Sequence, residues 1–339
     1  MSVALSVLDL APIAEGVSTP EALRETARLA QTAEALGYTR VWYAEHHGMP
    51  SIGSAAPELL IANSAAATST IRVGSGGIML LNHQPLRIVE AFRTLEALHP
   101  GRIDLGLGRA PGGDRLAMQA LRTGGGEEFS AYFAEMIAFD EEGFPPDHPF
   151  SRLLASPGGV SLPPIHLLGS SGSSAHAAGQ MGLGYAFAAH FSATPGGPAI
   201  AAYRRGFEAS RQLKAPHAIV CLSVICAETD EEAEFLAGSQ ALSWALFHSG
   251  QIRKLVSPEE AAAHPYTERE KAIIANQRPL WIIGGPQTVK AEIEAKLAET
   301  GADEVMITTT LHSYAKRRRS YELVAEAFGL EARAPALAA

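Results

Sequence analysis

The sequence predicts a (β/α)8 barrel of the TIM type: one domain over residues 1–330, with an insertion between its seventh and eighth units. Three observations predict it. A short apolar strand, a polar or glycine-rich end and an amphipathic helix recur eight times along the chain. The strands are apolar runs without clean alternation, as expected of parallel strands buried on both faces. The chain has 339 residues, 47% hydrophobic and 19% charged, with no low-complexity linker, which suits one large barrel. A doubly wound sheet uses fewer strands and would leave some over.

The units follow in order. "ALSVLDL" leads to a helix over Pro20–Leu36, with Thr19 as the expected N-cap, Pro20 in the first turn and Gly37 as C-cap. "RVWYAE" leads to a helix over Pro57–Thr68, and "IRVGSGGIML" to one over Pro85–Leu98. "RIDLGLGRA" leads to a longer irregular stretch around Arg115–Asp140. "PIHLLGS" leads to Ser174–Met181, and "YAFAAHF" to Ala199–Ser210. "HAIVCLSVICA" leads to Glu231–His248, and "DEVMIT" to the last helix, Tyr314–Phe328. The excess between the seventh and eighth units, about residues 251–297, holds the strand-like "LWIIGG" and another helix, and reads as an insertion near the barrel mouth. The tail "EARAPALAA", 331–339, is expected to fray.

With 27 basic and 36 acidic side chains the net charge is −9, which argues against nucleic acid and anionic membranes as main partners. The basic run Lys316-Arg317-Arg318-Arg319 reads as a solvated helix face. Cys221 and Cys226 are five apart on one strand, hence on opposite sides, and read as small core residues in a reducing compartment. Their apolar run is far short of the about 20 residues a membrane span needs. No basic leader precedes the N-terminal apolar stretch, so a cytoplasmic protein is expected.

In barrels of this kind the active site is built from the C-terminal strand ends and the loops after them. The residues predicted there are Asp9, Glu45-His46-His47, Gly76-Gly77 running into Asn82-His83, Arg109, Gly169-Ser170-Ser171, His190-Phe191 and Thr308-Thr309-Thr310. Few acids and several neutral or cationic donors converge, which suits an anionic, phosphate-bearing ligand better than a divalent metal. There is no H-E-x-x-H, and no metal site is expected. Adjacent histidines cannot both point into one site, so one of His46 and His47 packs or hydrogen-bonds behind the other. His83 and His190 read equally as structural histidines or as ligands. "LLGSSGSSAHAAG" passes from strand through small residues into a helix, whose free N–H groups, with the Ser171 and Ser174 hydroxyls, make an anion site or an ordinary serine cap. "GLGRAPGGD" lacks the dinucleotide fingerprint, and its Arg109 reads as a fixed cation for a phosphate. Gly74, Gly76 and Gly77 interrupt a core strand where regularity is expected, and call for a bulge or a close backbone approach.

"VWYAEHH", "IRVGSGGIML", "PLRIVEAFRTLEALHPGRIDLGLGRAPGGD" and "LLGSSGSSAHAAGQMGLGYAFAAHF" resemble, in collinear order from Leu5 to Phe328, the bacterial luciferase-like flavin monooxygenase family, in particular its YhbW-like branch. The resemblance implies a (β/α)8 barrel that binds FMN, or in one branch a deazaflavin, at the C-terminal rim. It implies a homodimer formed through the helices after the second and third strands. It implies a non-prolyl cis peptide at Gly76-Gly77 behind the flavin ring, so that Gly77→Val would put a side chain in the ring's space and abolish flavin binding while the barrel still forms. Arg109 matches the arginine that contacts the cofactor, Ser170 and Ser171 the phosphate-binding turn, with Gly169 and Ser174 beside it, and His46 the histidine near the reactive face. Asp9 is expected among the cofactor contacts. Gly108 stands where luciferase has a reactive cysteine, which argues against long-chain aldehyde luminescence. The implied function is a two-component monooxygenase that takes reduced FMN from a separate flavin reductase and uses O₂ on a small organic substrate. A flavin or deazaflavin reductase, and a non-catalytic flavin-binding protein, are the alternatives.

Overall fold

The computed structural model describes residues 3–332. The strands are β1 (Ala4–Asp9), β2 (Arg40–Tyr43), β3 (Arg72–Met79), β4 (Ile103–Gly108), β5 (Ile165–Gly169), β6 (Gly184–Ala188), β7 (Ala218–Cys226), β8 (Trp281–Gly284) and β9 (Glu304–Thr308). The helices are α1 (Thr19–Leu36), α2 (Pro57–Ala67), α3 (Pro85–Leu98), α4 (Arg115–Leu121), α5 (Phe129–Glu141), α6 (Gly172–Gln180), α7 (Gly196–Arg205), α8 (Asp230–His248), α9 (Pro258–Ala263), α10 (Glu268–Gln277), α11 (Pro286–Thr300) and α12 (Tyr314–Phe328). Eight parallel strands close in the order β1-β2-β3-β4-β5-β6-β7-β9, with β9 paired back onto β1. This is the predicted barrel. β8 lies outside the ring: β7 pairs with β9 as far as Ser223, and its last residues, Ser223–Cys226, pair with β8.

Most helix bounds match their sequence signals, and the differences have local causes. Ser18, not Thr19, caps α1, its hydroxyl accepting from the Glu21 amide at 3.3 Å. Gly37 closes that helix with φ 87°, a conformation other residues reach only at a cost. The expected position of the insertion is corrected. Of the four helices between β7 and β9, it is α11 that packs between α7 and α12 in the outer ring, whereas α8 packs with α9, α10 and β8. The excursion therefore runs from Asp230 to Gly284 rather than over 251–297. The tail expected to fray, 331–339, lies outside the described residues from 333 onward.

The solvated basic face is corrected too. Arg317 is buried and pairs with Asp9 at 2.8 Å, while Lys316, Arg318 and Arg319 pair with Glu232, Glu25 and Glu228. Cys221 and Cys226 are buried free thiols on opposite faces of β7: Cys221 packs with the barrel interior, Cys226 with the outer core.

Alternate residues fill the barrel in layers. The middle layer is apolar and includes Leu8, Trp42, Leu168, Ala186, Ile219 and Met306. Below it, at the N-terminal end, lies an ionic floor. Arg40 bridges Asp104 at 2.8 Å and Glu304 at 2.9 Å, Arg72 reaches Asp104 at 3.0 Å, and His217 lies 3.0 Å from Glu304. A cavity of about 210 Å³ opens there, lined by Arg40, Arg72, Asp104, His166 and His217, at the far end from the strand tips.

The Gly76-Gly77 peptide is cis, and the β3–β4 register shifts between Ser75 and Ile78. The space around these glycines corrects the reason given for them. A Cβ on Gly74 would meet Asp104 at 2.6 Å and Trp42 at 2.9 Å, and one on Gly76 would meet Leu8 at 2.9 Å and Trp42 at 3.0 Å. On Gly77 it would lie 2.7 Å from the Gly106 carbonyl oxygen. The glycines admit the Trp42 indole and the neighbouring strand. A side chain at Gly77 would strike β4, not a bound ring.

Candidate active site

Small residues, Ala44, Gly76, Gly108 and Ala188, stand at the mouth of the barrel, at or just beyond the C-terminal ends of β2, β3, β4 and β6. Five of the predicted residues converge on this mouth. His46 follows β2 and Arg109 follows β4. Ser170 and Ser171 form the turn between β5 and α6, and Ser174 sits in the first turn of α6. Asp9 does not belong to the group. It alternates with the inward-facing Leu8, is fully buried, and pairs behind the wall with Arg317 on α12 and, at 2.7 Å, with the Ala11 amide.

The α6 terminus is open at its first turn. Ser171 caps the helix without using its side chain on the backbone, so the first-turn N–H groups stay available. The Tyr185 hydroxyl donates to the Ser171 carbonyl at 3.1 Å, and the Ser174 hydroxyl does so at 3.2 Å. Ser192, which sequence reasoning passed over, donates to the Ser170 carbonyl at 3.3 Å. Gly169 is required for this packing, because a Cβ there would overlap the Ser174 hydroxyl. Arg109 is exposed and makes no ion pair among the described residues, so its charge is free for a ligand. Gly108 packs against Met79, whose sulfur would lie 2.9 Å from an added Cβ.

The Glu45-His46-His47 segment divides as expected, one histidine behind the other. Glu45 is completely buried. His47 Nε2 lies 2.9 Å from its carboxylate, His83 Nε2 3.0 Å, and the Asn82 amide donates at 2.9 Å. Burial opposes ionisation of Glu45, but the bonds from His83, His47 and Asn82 hold it below the ordinary carboxylate range. Burial likewise works against a charged His83, and the carboxylate overrides it and raises His83. His83 is thus a structural histidine. Sequence reasoning missed the role of Glu45; a carboxylate directly before two histidines at a strand end was the signal.

His46 faces the mouth. Burial lowers its pKa, against the pull of the Gly112 backbone. From the opposite side of the barrel comes His190. Burial pushes it down to about 4, against the pull of the Cys221 backbone, and the nearby His46 adds to the depression. The Nδ1 atoms of both rings are buried with no partner among the described residues. Two neutral imidazoles, a free helix terminus, a free arginine and a mouth of small residues fit a planar heterocycle carrying a phosphate. No group of three or more His, Cys, Asp and Glu among the described residues is arranged to hold a metal.

Residues 3–304 match the family model described as luciferase-like monooxygenase. A luciferase-like monooxygenase of Escherichia coli K12 is 40% identical over 325 residues, 95% of this chain and 96% of that protein. The crystal structure of apo-MsnO8 superposes with a TM-score of 0.90 at 36% identity, covering 98% of this chain and 99% of that one. The oxygenating constituent of 3,6-diketocamphane monooxygenase from Pseudomonas putida, solved with FMN, shares the fold at a TM-score of 0.70 and 20% identity, over 96% of this chain and 97% of that one. The chain belongs to the luciferase-like monooxygenase family.

Proposed function

We propose that the protein is the oxygenating half of a two-component, FMN-dependent monooxygenase: a separate reductase supplies reduced FMN, and O₂ and a small organic substrate meet it at the barrel mouth. The observation that carries this reading is the convergence of an unused helix terminus and an unpaired arginine on a mouth of small residues, in a chain of this family. Bound there, the flavin supplies the electrons and the oxygen activation that no side chain can. The protein's part is placement. The α6 amides with Ser170, Ser171 and Ser174 would hold the phosphate, Arg109 a phosphate or ring edge, and the backbone of Gly76 and Gly77 would back the ring. His46, kept neutral by burial, is the group to accept and return a proton. The apolar α2 helix, with Leu59 exposed, and Leu98 at the end of α3 support a homodimer through these helices. The same proposal places the enzyme in the cytoplasm; Lys316, Arg318 and Arg319 pair with Glu232, Glu25 and Glu228 instead of forming a free basic patch.

Fluorescence titration tests the reading. Reduced FMN should bind tighter than FAD, since the sequence carries no fingerprint for an adenine dinucleotide. Ser171→Ala and Arg109→Ala should each weaken FMN binding on the order of tenfold or more, because a hydrogen bond to a charged group contributes about 1.5–3 kcal/mol, with melting temperature unchanged. Unchanged affinity, or tighter FAD binding, overturns it. Oxygen uptake coupled to product formation separates an oxygenase from a reductase.

A further inference from the structure

Two loops carry the groups that face the mouth, His46 after β2 and Arg109 after β4. The bonds that fix both loops converge on one carboxylate. Glu45 takes donors from its own loop (His47), from the backbone at the end of β3 (the Met79 amide, 2.8 Å) and from the turn beyond it (Asn82 and His83). Asn82 has two amide hydrogens; one goes to Glu45 and the other to the Pro111 carbonyl at 3.0 Å, on the loop of Arg109. The His47 amide donates to the Gly112 carbonyl of that same loop at 2.8 Å. The Arg109 loop is therefore fastened at Pro111 and Gly112 by two residues that Glu45 itself holds.

We propose that Glu45 is the positioning residue of the mouth, its buried carboxylate setting His46 and the Arg109 loop in register with each other. It rests on the reading of the mouth as a flavin site. Glu45 does not touch the ligand; it acts through Asn82 and His47. A carboxylate suits the role because every group around it donates, and a carboxamide would turn an N–H toward at least one of those donors.

The test compares Glu45→Gln, Asn82→Leu and the double variant with the wild type in two measurements. The first is FMN affinity. Each single variant should weaken binding about tenfold, and the double should be little worse than the poorer single, because both residues act through one connection. The second needs no ligand: amide hydrogen exchange at His47, whose N–H is held by Gly112, should rise at least about tenfold in Glu45→Gln while core amides such as Val73 keep their protection. Unchanged FMN affinity and unchanged His47 exchange, with only a lower melting temperature, would overturn the proposal, as would penalties that multiply in the double variant. If the wild type binds no flavin, the flavin reading fails. The exchange result then decides alone: a local rise at His47 upholds the positioning role and its absence refutes it.

Discussion

At the scale of the residue, one carbonyl decides what position 77 tolerates. With the Gly106 oxygen 2.7 Å from an added Cβ, Gly77→Val forces β3 and β4 apart before any ligand is involved. Overpacking of this kind costs about 1–3 kcal/mol or more. Urea unfolding of the ligand-free variant should show that loss. A variant as stable as the wild type, yet unable to bind FMN, would restore the idea that the side chain enters ligand space. What the sequence concealed at this scale was direction. The glycines were legible as a demand for room, but not the claimant, because the Trp42 indole lies 32 residues before Gly74 in the chain and meets it only through strand pairing. Arg317 misled for the same reason: three charged neighbours make a surface pattern, and the partner that buries the fourth, Asp9, is at the other end of the chain.

At the scale of the element, the floor layer binds β2, β3, β4 and β9 together through charge. Asp104 and Glu304 are buried without exposure. Burial opposes their ionisation, yet Arg40 and Arg72 hold Asp104 well below the carboxylate range, and Arg40 and His217 hold Glu304 at about 2. Removing one partner of such a cluster strands the others. Arg40→Leu should lower unfolding free energy by about 3–5 kcal/mol in chemical denaturation; a loss below about 1 kcal/mol would mean that water already screens the layer. The strands and the bounds of α3 and α12 were legible, as was Gly37 at the end of α1, because apolar runs, proline and glycine act locally. Which of α8 and α11 returns to the ring was not, because both lie between β7 and β9 in sequence and only packing distinguishes them.

At the scale of the molecule, buried imidazoles set the response to acid. Burial pushes His166 to about 3 and His190 to about 4, and lowers His46 and His99 as well. An unfolded histidine titrates near 6.5, so between about pH 6.5 and 4 the unfolded chain binds protons that the fold refuses, and stability falls as pH falls. His83 runs the other way: raised in the fold, it contributes fully below about 6.5 and loses that contribution as pH rises through its folded value. One group against four leaves a net loss in acid, up to about 1.4 kcal/mol per pH unit for each fully neutral histidine. Unfolding free energies at pH 7.5, 6 and 5 should fall steeply; a flat profile would show that these rings are hydrated.

The length of β7 has a consequence for the rim. Its last residues climb past the point where β9 stops at Thr308, and they carry β8 with α8 beside it as a parapet, where Gln240 of α8 reaches Ser223 at 3.2 Å. Across the mouth stands α4, which buries none of its residues. The two flanks of the rim therefore differ in cover: the β7 flank is backed by a second layer of strand and helix, while α4 on the other flank stays open to solvent along its length.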